Sequence, residues 1–189
     1  MVLMFNYRIN KEIELRLLEE RHAEEFYALL MDNREYFRQW LSWNLDENYT
    51  IEKTKDFIKG SLQRYANNNG FEAGIWSQGK LVGEIGFDSI DWWNRKTTIG
   101  YSLGASFQGK GLVTSACRVL INYAFHELKL NRVELRIASD NKRSRAVAER
   151  LGFTAEGILQ QAEWLHDHFV DHMVYRMLAS EWEVANKEP

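Results

Sequence analysis

A chain of 189 residues, 45% hydrophobic and 27% charged, is long enough to bury a substantial core and has the balance of an ordinary folded protein, which excludes intrinsic disorder and fibrous repeats. A net charge of -3 disfavours nucleic acid as a partner, and no apolar run approaches the ~20 residues of a membrane span. The one cysteine, Cys117, rules out an intrachain disulfide, and without a signal-peptide pattern the expected compartment is cytoplasmic.

Apolar alternation predicts a strand at Ile13–Leu18, and helical spacing of Ala23, Phe26, Tyr27 and Leu30 predicts a helix after it. An aromatic block follows (Tyr36, Phe37, Trp40, Trp43), then Thr50 as N-cap of a helix carrying Ile51, Ile58, Leu62 and Tyr65. From Phe71 the period changes to two. Phe71, Ala73 and Ile75 form one strand, Ser77–Lys80 a hairpin turn, Leu81, Gly83, Ile85 and Phe87 a second strand, and Thr97, Ile99, Tyr101 and Leu103 a third. The simplest arrangement is an antiparallel meander.

A regular helical pattern then runs from Leu112 to Leu128, with Ala116, Cys117, Leu120, Ile121, Ala124 and Phe125 on its buried face. Val133, Leu135 and Ile137 alternate in a strand expected to be parallel to the third, completing a βαβ crossover. A helix over about Lys142–Leu151 ends at Gly152, a suitable C-cap, and strands from Phe153 and over Val170–Leu178 close the chain.

The segment Gly104-Ala105-Ser106-Phe107-Gln108-Gly109-Lys110-Gly111-Leu112-Val113 is a glycine-containing turn between a strand and a long helix. Such a turn presents free backbone N–H groups at the positive end of a helix, an arrangement suited to phosphate; the alternative is a tight turn that needs glycine only for positive φ. Gly104–Lys110 also matches the start of a nucleotide P-loop, GxxxxGK. Gly111, however, stands where that motif needs a Ser or Thr hydroxyl for magnesium, and Glu134 and Arg136 interrupt the only later strand able to carry the acidic partner.

Gln108 through Val113 resembles the Q/R-x-x-G-x-G/A turn of the GNAT acetyltransferase superfamily at every position but the last. Asn141-Lys142-Arg143-Ser144 through Gly152-Phe153 resembles the second signature of that superfamily. With Trp40-Leu41-Ser42-Trp43 in place of W-L-P-W, the chain is similar to the ribosomal-protein N-terminal acetyltransferase (RimJ/RimL) branch over roughly residues 10–180 of a single domain spanning 1–189. The resemblance implies an α/β (α+β) GNAT fold, with a central twisted mixed sheet of about seven strands, splayed at its centre and flanked by helices. It also implies acetyl-CoA as co-substrate in the gap, an amine acceptor entering from the opposite side, and a homodimer or larger homo-oligomer.

Carried onto this sequence, the family pattern places the cofactor at Tyr101, Ser102 and Leu103 and at Gln108, Gly109, Lys110, Gly111, Leu112 and Val113, with Asn141 and Ser144 beside it. The tyrosine that protonates the thiolate in many members would fall at Ala148, so the branch's serine, here Ser144, is the implied substitute; a first-turn residue capping its own helix is the alternative. The branch points to Glu163 as general base. Glu84 is a second candidate, since alternation sets it on the face opposite Leu81, Ile85 and Phe87. An α-amine suits a carboxylate base better than lysine does, because its unperturbed pKa is roughly 7.7–8.0 against about 10.4.

His166, His168 and His172, with Asp167 and Asp171, have the composition of a metal site, yet acetyl transfer calls for no metal and none is expected. Trp40, Trp43, Trp92, Trp93 and Trp164 are core residues or walls of the acceptor groove, and Cys117 reads as packing. The expected function is acetyl transfer to the N-terminal α-amine of a protein, with ribosomal proteins as the acceptors that the resemblance implies. The alternatives are acetylation of a small amine, such as a polyamine or an aminoglycoside, and a silent acyl-CoA-binding module.

Overall fold

A computed structural model describes residues 6–42, 45–46 and 48–185, so Trp43 of the aromatic block lies outside the described residues. Asn6–Arg8 (β1) turns back on Ile13–Leu17 (β2), whose alternation buries Ile13, Leu15 and Leu17. The helix Ala23–Asp32 (α1) buries Phe26, Leu29 and Leu30 at the predicted spacing, and Glu25 ties it to the sheet by accepting the Leu81 N–H at 2.6 Å. A single turn, Arg34–Phe37 (α2), leads to Ile51–Ala66 (α3), where the Thr50 hydroxyl caps the helix by accepting from the Lys53 N–H.

The meander is Phe71–Ser77 (β3), Lys80–Asp91 (β4) and Lys96–Leu103 (β5). Gln78 (φ 52°) and Gly79 (φ 80°) both take the left-handed conformation, as a two-residue type I′ turn between Ser77 and Lys80 requires. A register shift at Ile75/Trp76 departs from simple alternation: Leu81 packs with Trp76 against α1 and α3, while Ile85 and Phe87 face the other core.

Leu112–Asn122 (α4) crosses over to Arg132–Ala138 (β6). The predicted long helix stops being α-helical at Tyr123, and Tyr123–Glu127 forms a π-helical turn. Lys142–Arg150 (α5) ends at Gly152, φ 79°, with the Phe153 N–H bonded to the Ala148 carbonyl. Thr154–Leu165 (β7) and His168–Leu178 (β8) form a long hairpin, and Ala179–Ala185 (α6) follows.

The sheet has eight strands rather than about seven, in the order β1-β2-β3-β4-β5-β6-β8-β7. The additional strand is β1, three residues with no apolar alternation to announce them. All neighbours are antiparallel except β5 and β6. These two pair in parallel only from Lys96 opposite Arg132 to Thr98 opposite Glu134; beyond Thr98 they separate, and among the described residues no strand pairs with that edge of β5. One apolar core lies between the sheet and α4, around Ile85, Phe87, Ile99, Cys117 and Leu120. A second, around Phe26, Leu30, Ile58 and Trp76, lies on the opposite face against α1 and α3. Full burial of each such side chain contributes about 1.5–3 kcal/mol, so the two cores hold the sheet from both faces, and beyond Thr98 the β5–β6 seam opens into a wedge.

Candidate active site

One cleft, of about 810 Å³, runs from the free edge of β5 to the start of α4 and along α5. Gly109 and Gly111 hold φ of 74° and 75° with open space around each Cα, so glycine is required by the backbone angle and not by crowding. The left-handed Gly111 is the N-cap of α4, which leaves the N–H groups of its first turn aimed at the cleft with the positive end of the helix dipole behind them. Asn33 fixes the approach to this turn by accepting the Ala105 N–H at 2.9 Å. Arg143, Ala146, Val147 and Arg150 follow at helical spacing along α5, and no carboxylate lines the cleft. Lys110 does not line it; the Lys110 ammonium sits 5.1 Å from the centre of the Phe107 ring.

A second cavity, of about 470 Å³, opens on the other side of the wedge. It shares Trp40, Leu41, Tyr101, Asn141 and Ser144 with the first, so the two meet at the mouth of the β5–β6 gap. The Tyr101 hydroxyl spans that mouth, donating to the Ser144 carbonyl at 3.2 Å, and burial pushes its pKa upward, which keeps the phenol protonated. Asn141 is the N-cap of α5, its Oδ1 accepting from the Ser144 N–H at 3.1 Å. The cap is therefore Asn141 and not Ser144, and the Ser144 hydroxyl has no capping duty.

The floor of the second cavity is acidic. Glu72, Glu84 and Asp88 come from one face of β3 and β4, with Arg64 of α3 above them and Arg136 of β6 to the side. Space for these carboxylates is made by glycine: a Cβ on Gly86 would lie 2.2 Å from Glu72 Oε2, and one on Gly100 would lie 2.9 Å from Asp88 Oδ1. Glu72 forms an ion pair with Arg64 at 3.2 Å, and its N–H donates to the Ser61 hydroxyl at 2.9 Å. Burial pushes the Glu72 carboxyl well above the usual range, reinforced by the negative charge of Glu84. Burial also raises Glu84, partly offset by hydrogen bonding from Glu72 and Ser102. Burial raises Asp88 too, against the pull of Arg64 and Arg136. Each of the two carboxyls therefore holds its proton to a higher pH than an exposed carboxylate would.

Both candidate bases reach this cavity: Glu84 from the floor, and Glu163 from the β7–β8 hairpin, where its Oε2 lies 3.0 Å from His172 Nε2. The histidines do not converge. His166 sits in the turn with φ 60°, His168 pairs with Asp167 at 2.6 Å, and His172 faces Glu163; among the described residues no group of three or more side chains is arranged for a metal. Of the tryptophans in the aromatic group, Trp40 lines both cavities, whereas Trp93 is 94% exposed at the β4–β5 turn and Trp164 packs edge-to-face with Phe169 outside both.

Sequence reasoning missed Glu72, Asp88, Arg64, Arg136 and His172 in the acidic cavity and Arg143 and Arg150 in the cleft. Arg143, Val147 and Arg150 at i, i+4, i+7 were a usable signal; Glu72 and Asp88 gave none beyond charge within apolar strands.

The acetyltransferase (GNAT) domain family matches residues 12–154, about three quarters of the sequence. The chain belongs to the GNAT acetyltransferase family. A ribosomal-protein-serine acetyltransferase of Escherichia coli (strain K12) is 30% identical over 168 residues, covering 89% of this chain and 93% of the relative. Among solved structures, the RimL ribosomal L7/L12 α-N-protein acetyltransferase in complex with coenzyme A superposes with a TM-score of 0.88 at 27% identity, covering 93% of this chain and 99% of that one. The microcin C7 self-immunity acetyltransferase MccE, in complex with acetyl-CoA and AMP, superposes with a TM-score of 0.88 at 34% identity, covering 94% and 98%. The mixed α/β sheet with its single parallel, splayed pair is the GNAT fold.

Proposed function

We propose that this GNAT acetyltransferase moves an acetyl group from acetyl-CoA to the N-terminal α-amine of a protein, with ribosomal proteins as the acceptor class. The observation that carries this reading is the meeting of two oppositely lined cavities at Tyr101, Asn141 and Ser144. A cleft with two arginines, a helix N-terminus and no carboxylate suits the polyanionic nucleotide end of acetyl-CoA; a cavity floored by carboxylates suits an ammonium group. Relatives named for ribosomal-protein acetylation support the acceptor class. The reading carries with it a cytoplasmic enzyme acting as a homo-oligomer, and the exposed Ile158, Leu159, Trp164 and Phe169 on β7 and β8 support the latter.

In this mechanism the free edge of β5 beyond Thr98 aligns the thioester arm, and a backbone N–H there faces the developing oxyanion, a contribution of about 3 kcal/mol in such sites. Glu163, with Glu84 as the second carboxylate, takes a proton from the acceptor ammonium; the gap between an α-amine and neutral pH is about one unit, or about 1.4 kcal/mol, so a carboxylate suffices. Ser144, freed from capping, donates a hydrogen bond to the departing thiolate.

The test is label transfer from acetyl-CoA into purified bacterial ribosomal proteins and, separately, into spermidine and an aminoglycoside, with the modified atom located by mass spectrometry. The expected result is one acetyl group on the N-terminus of a ribosomal protein. Label confined to the small amines would move the acceptor to that class. Tight coenzyme A binding without any transfer would make the chain a silent acyl-CoA-binding module.

A further inference from the structure

The contact between Glu163 and His172 is made by an irregularity in β7. Leu159 lies opposite His172, but the next registered pair is Glu163 opposite Val170, so β7 carries two extra residues in between. Had the Leu159–His172 register run on unbroken, Glu163 would pair with His168 at the hairpin tip. With the two extra residues it is drawn back along β8 to the diagonal neighbour position of His172 on the same face. The bulge is pinned rather than loose: Gln161 holds φ 49°, and its N–H donates to Asp171 Oδ1 at 2.8 Å. Asp171 is tied in turn to β6 through its carbonyl, which accepts the Ser139 N–H at 2.8 Å. The displaced carboxylate and the imidazole both line the acidic cavity, and the His172 side chain is only 15% exposed.

We propose that His172 is the positioning residue for Glu163 and that the two act as one unit in deprotonating the acceptor; this rests on the acetyl transfer proposed above. An ionised carboxylate can only accept, so His172 carries its proton on Nε2 and donates it to Oε2. That bond turns the carboxylate toward the cavity and leaves Oε1 to receive the substrate. The ammonium R–NH3+ gives one proton to Oε1, leaving R–NH2 and a carboxylic acid. The nitrogen lone pair then forms the C–N bond to the thioester carbonyl carbon, the C–S bond breaks, and its electron pair leaves on sulfur. The remaining excess proton on nitrogen passes to the thiolate by way of Ser144 or water, and Glu163 returns its proton to solvent. The other charged groups lining the same cavity are Arg136 from β6, Glu84 and Asp88 from β4, Glu72 from β3 and Arg64 from α3.

Turnover of a synthetic peptide with a free N-terminal serine, coenzyme A binding by calorimetry, and imidazole nitrogen NMR test this together. His172→Ala should lower kcat about 10-fold or more, the worth of one hydrogen bond to a charged group, with coenzyme A affinity unchanged. His172→Gln, which sets an amide N–H where Nε2–H stands, should recover most of the loss, and His172→Ala should cost nothing further in a Glu163→Gln background. Independently of turnover, the wild-type spectrum should show His172 as the Nε2–H tautomer, and Glu163→Gln should shift that proton. Unchanged kcat in His172→Ala, an equal loss on top of Glu163→Gln, or an imidazole proton insensitive to Glu163→Gln would each overturn the proposal. Failure of the broader reading looks different: the wild-type protein would transfer acetyl neither to the peptide nor to spermidine, and the catalytic half of the proposal would fall with it.

Discussion

The two cavities that meet at Ser144 are built by opposite means. The cleft along α4 and α5 owes its character to backbone geometry, namely left-handed glycines, uncapped N–H groups and an unpaired strand edge, with two arginines added from one helix face. The acidic cavity owes its character to charged and titratable side chains gathered from α3, β3, β4, β6, β7 and β8, each contributing one or two. A ligand common to a whole family can be held by main chain, which any sequence of the right shape supplies. An acceptor has to be distinguished from others, and that work falls to side chains.

If this division is right, the two cavities can be damaged separately. The largest effect is expected for Gly100→Val, whose Cβ would lie 2.9 Å from Asp88 Oδ1 and push that carboxylate aside: kcat/KM for the acceptor should fall about 100-fold while the dissociation constant of coenzyme A changes far less. A parallel loss of coenzyme A binding would mean that the cavities are one mechanical unit. Next, Arg143→Ala and Arg150→Ala should each weaken coenzyme A by about 10-fold at low salt, and less at high salt, without moving acceptor KM.

The smallest effect concerns stability. The Glu72 pKa is raised in the folded protein, so the ionised form opposes folding; the penalty is absent below the ordinary glutamate range and grows as pH rises from there toward the raised value. Glu72→Gln removes that charge, and denaturation midpoints should show it gaining on the wild type by about 1 kcal/mol between pH 5 and 8. A constant difference across that range would show that Arg64 already neutralises the pair.

Legibility in the sequence follows the same division. Thr50, the Gln78-Gly79 turn, the glycine turn before α4 and the Asn141 to Phe153 segment were readable because each is a local rule about caps or positive φ. The register shift that moves Leu81 to the other face, the π-turn at Tyr123 and the bulge that carries Glu163 to His172 were not, since each depends on a partner strand or a packed neighbour. His172 shows the cost: read along the chain it belongs with His166 and His168, and only the β7–β8 register reassigns it to a carboxylate. β1, Glu72 and Asp88 stayed hidden for a related reason, as none of them leaves a periodic trace.

The parallel seam between β5 and β6, registered at only three positions, also bears on how the molecule is timed. Strands β3 to β5 pair with their sequence neighbours through short turns, and β7 and β8 form their own hairpin, while β2 reaches β3 only after α1 to α3 and the seam waits for the whole α4 crossover. Beyond Thr98 the β5 amides that face away from β4 have no β6 partner, and their exchange with deuterated water is expected to respond to ligand occupancy. Slowed exchange from Ile99 to Leu103 on adding coenzyme A would turn the unfinished part of the sheet into a direct gauge of how full the site is.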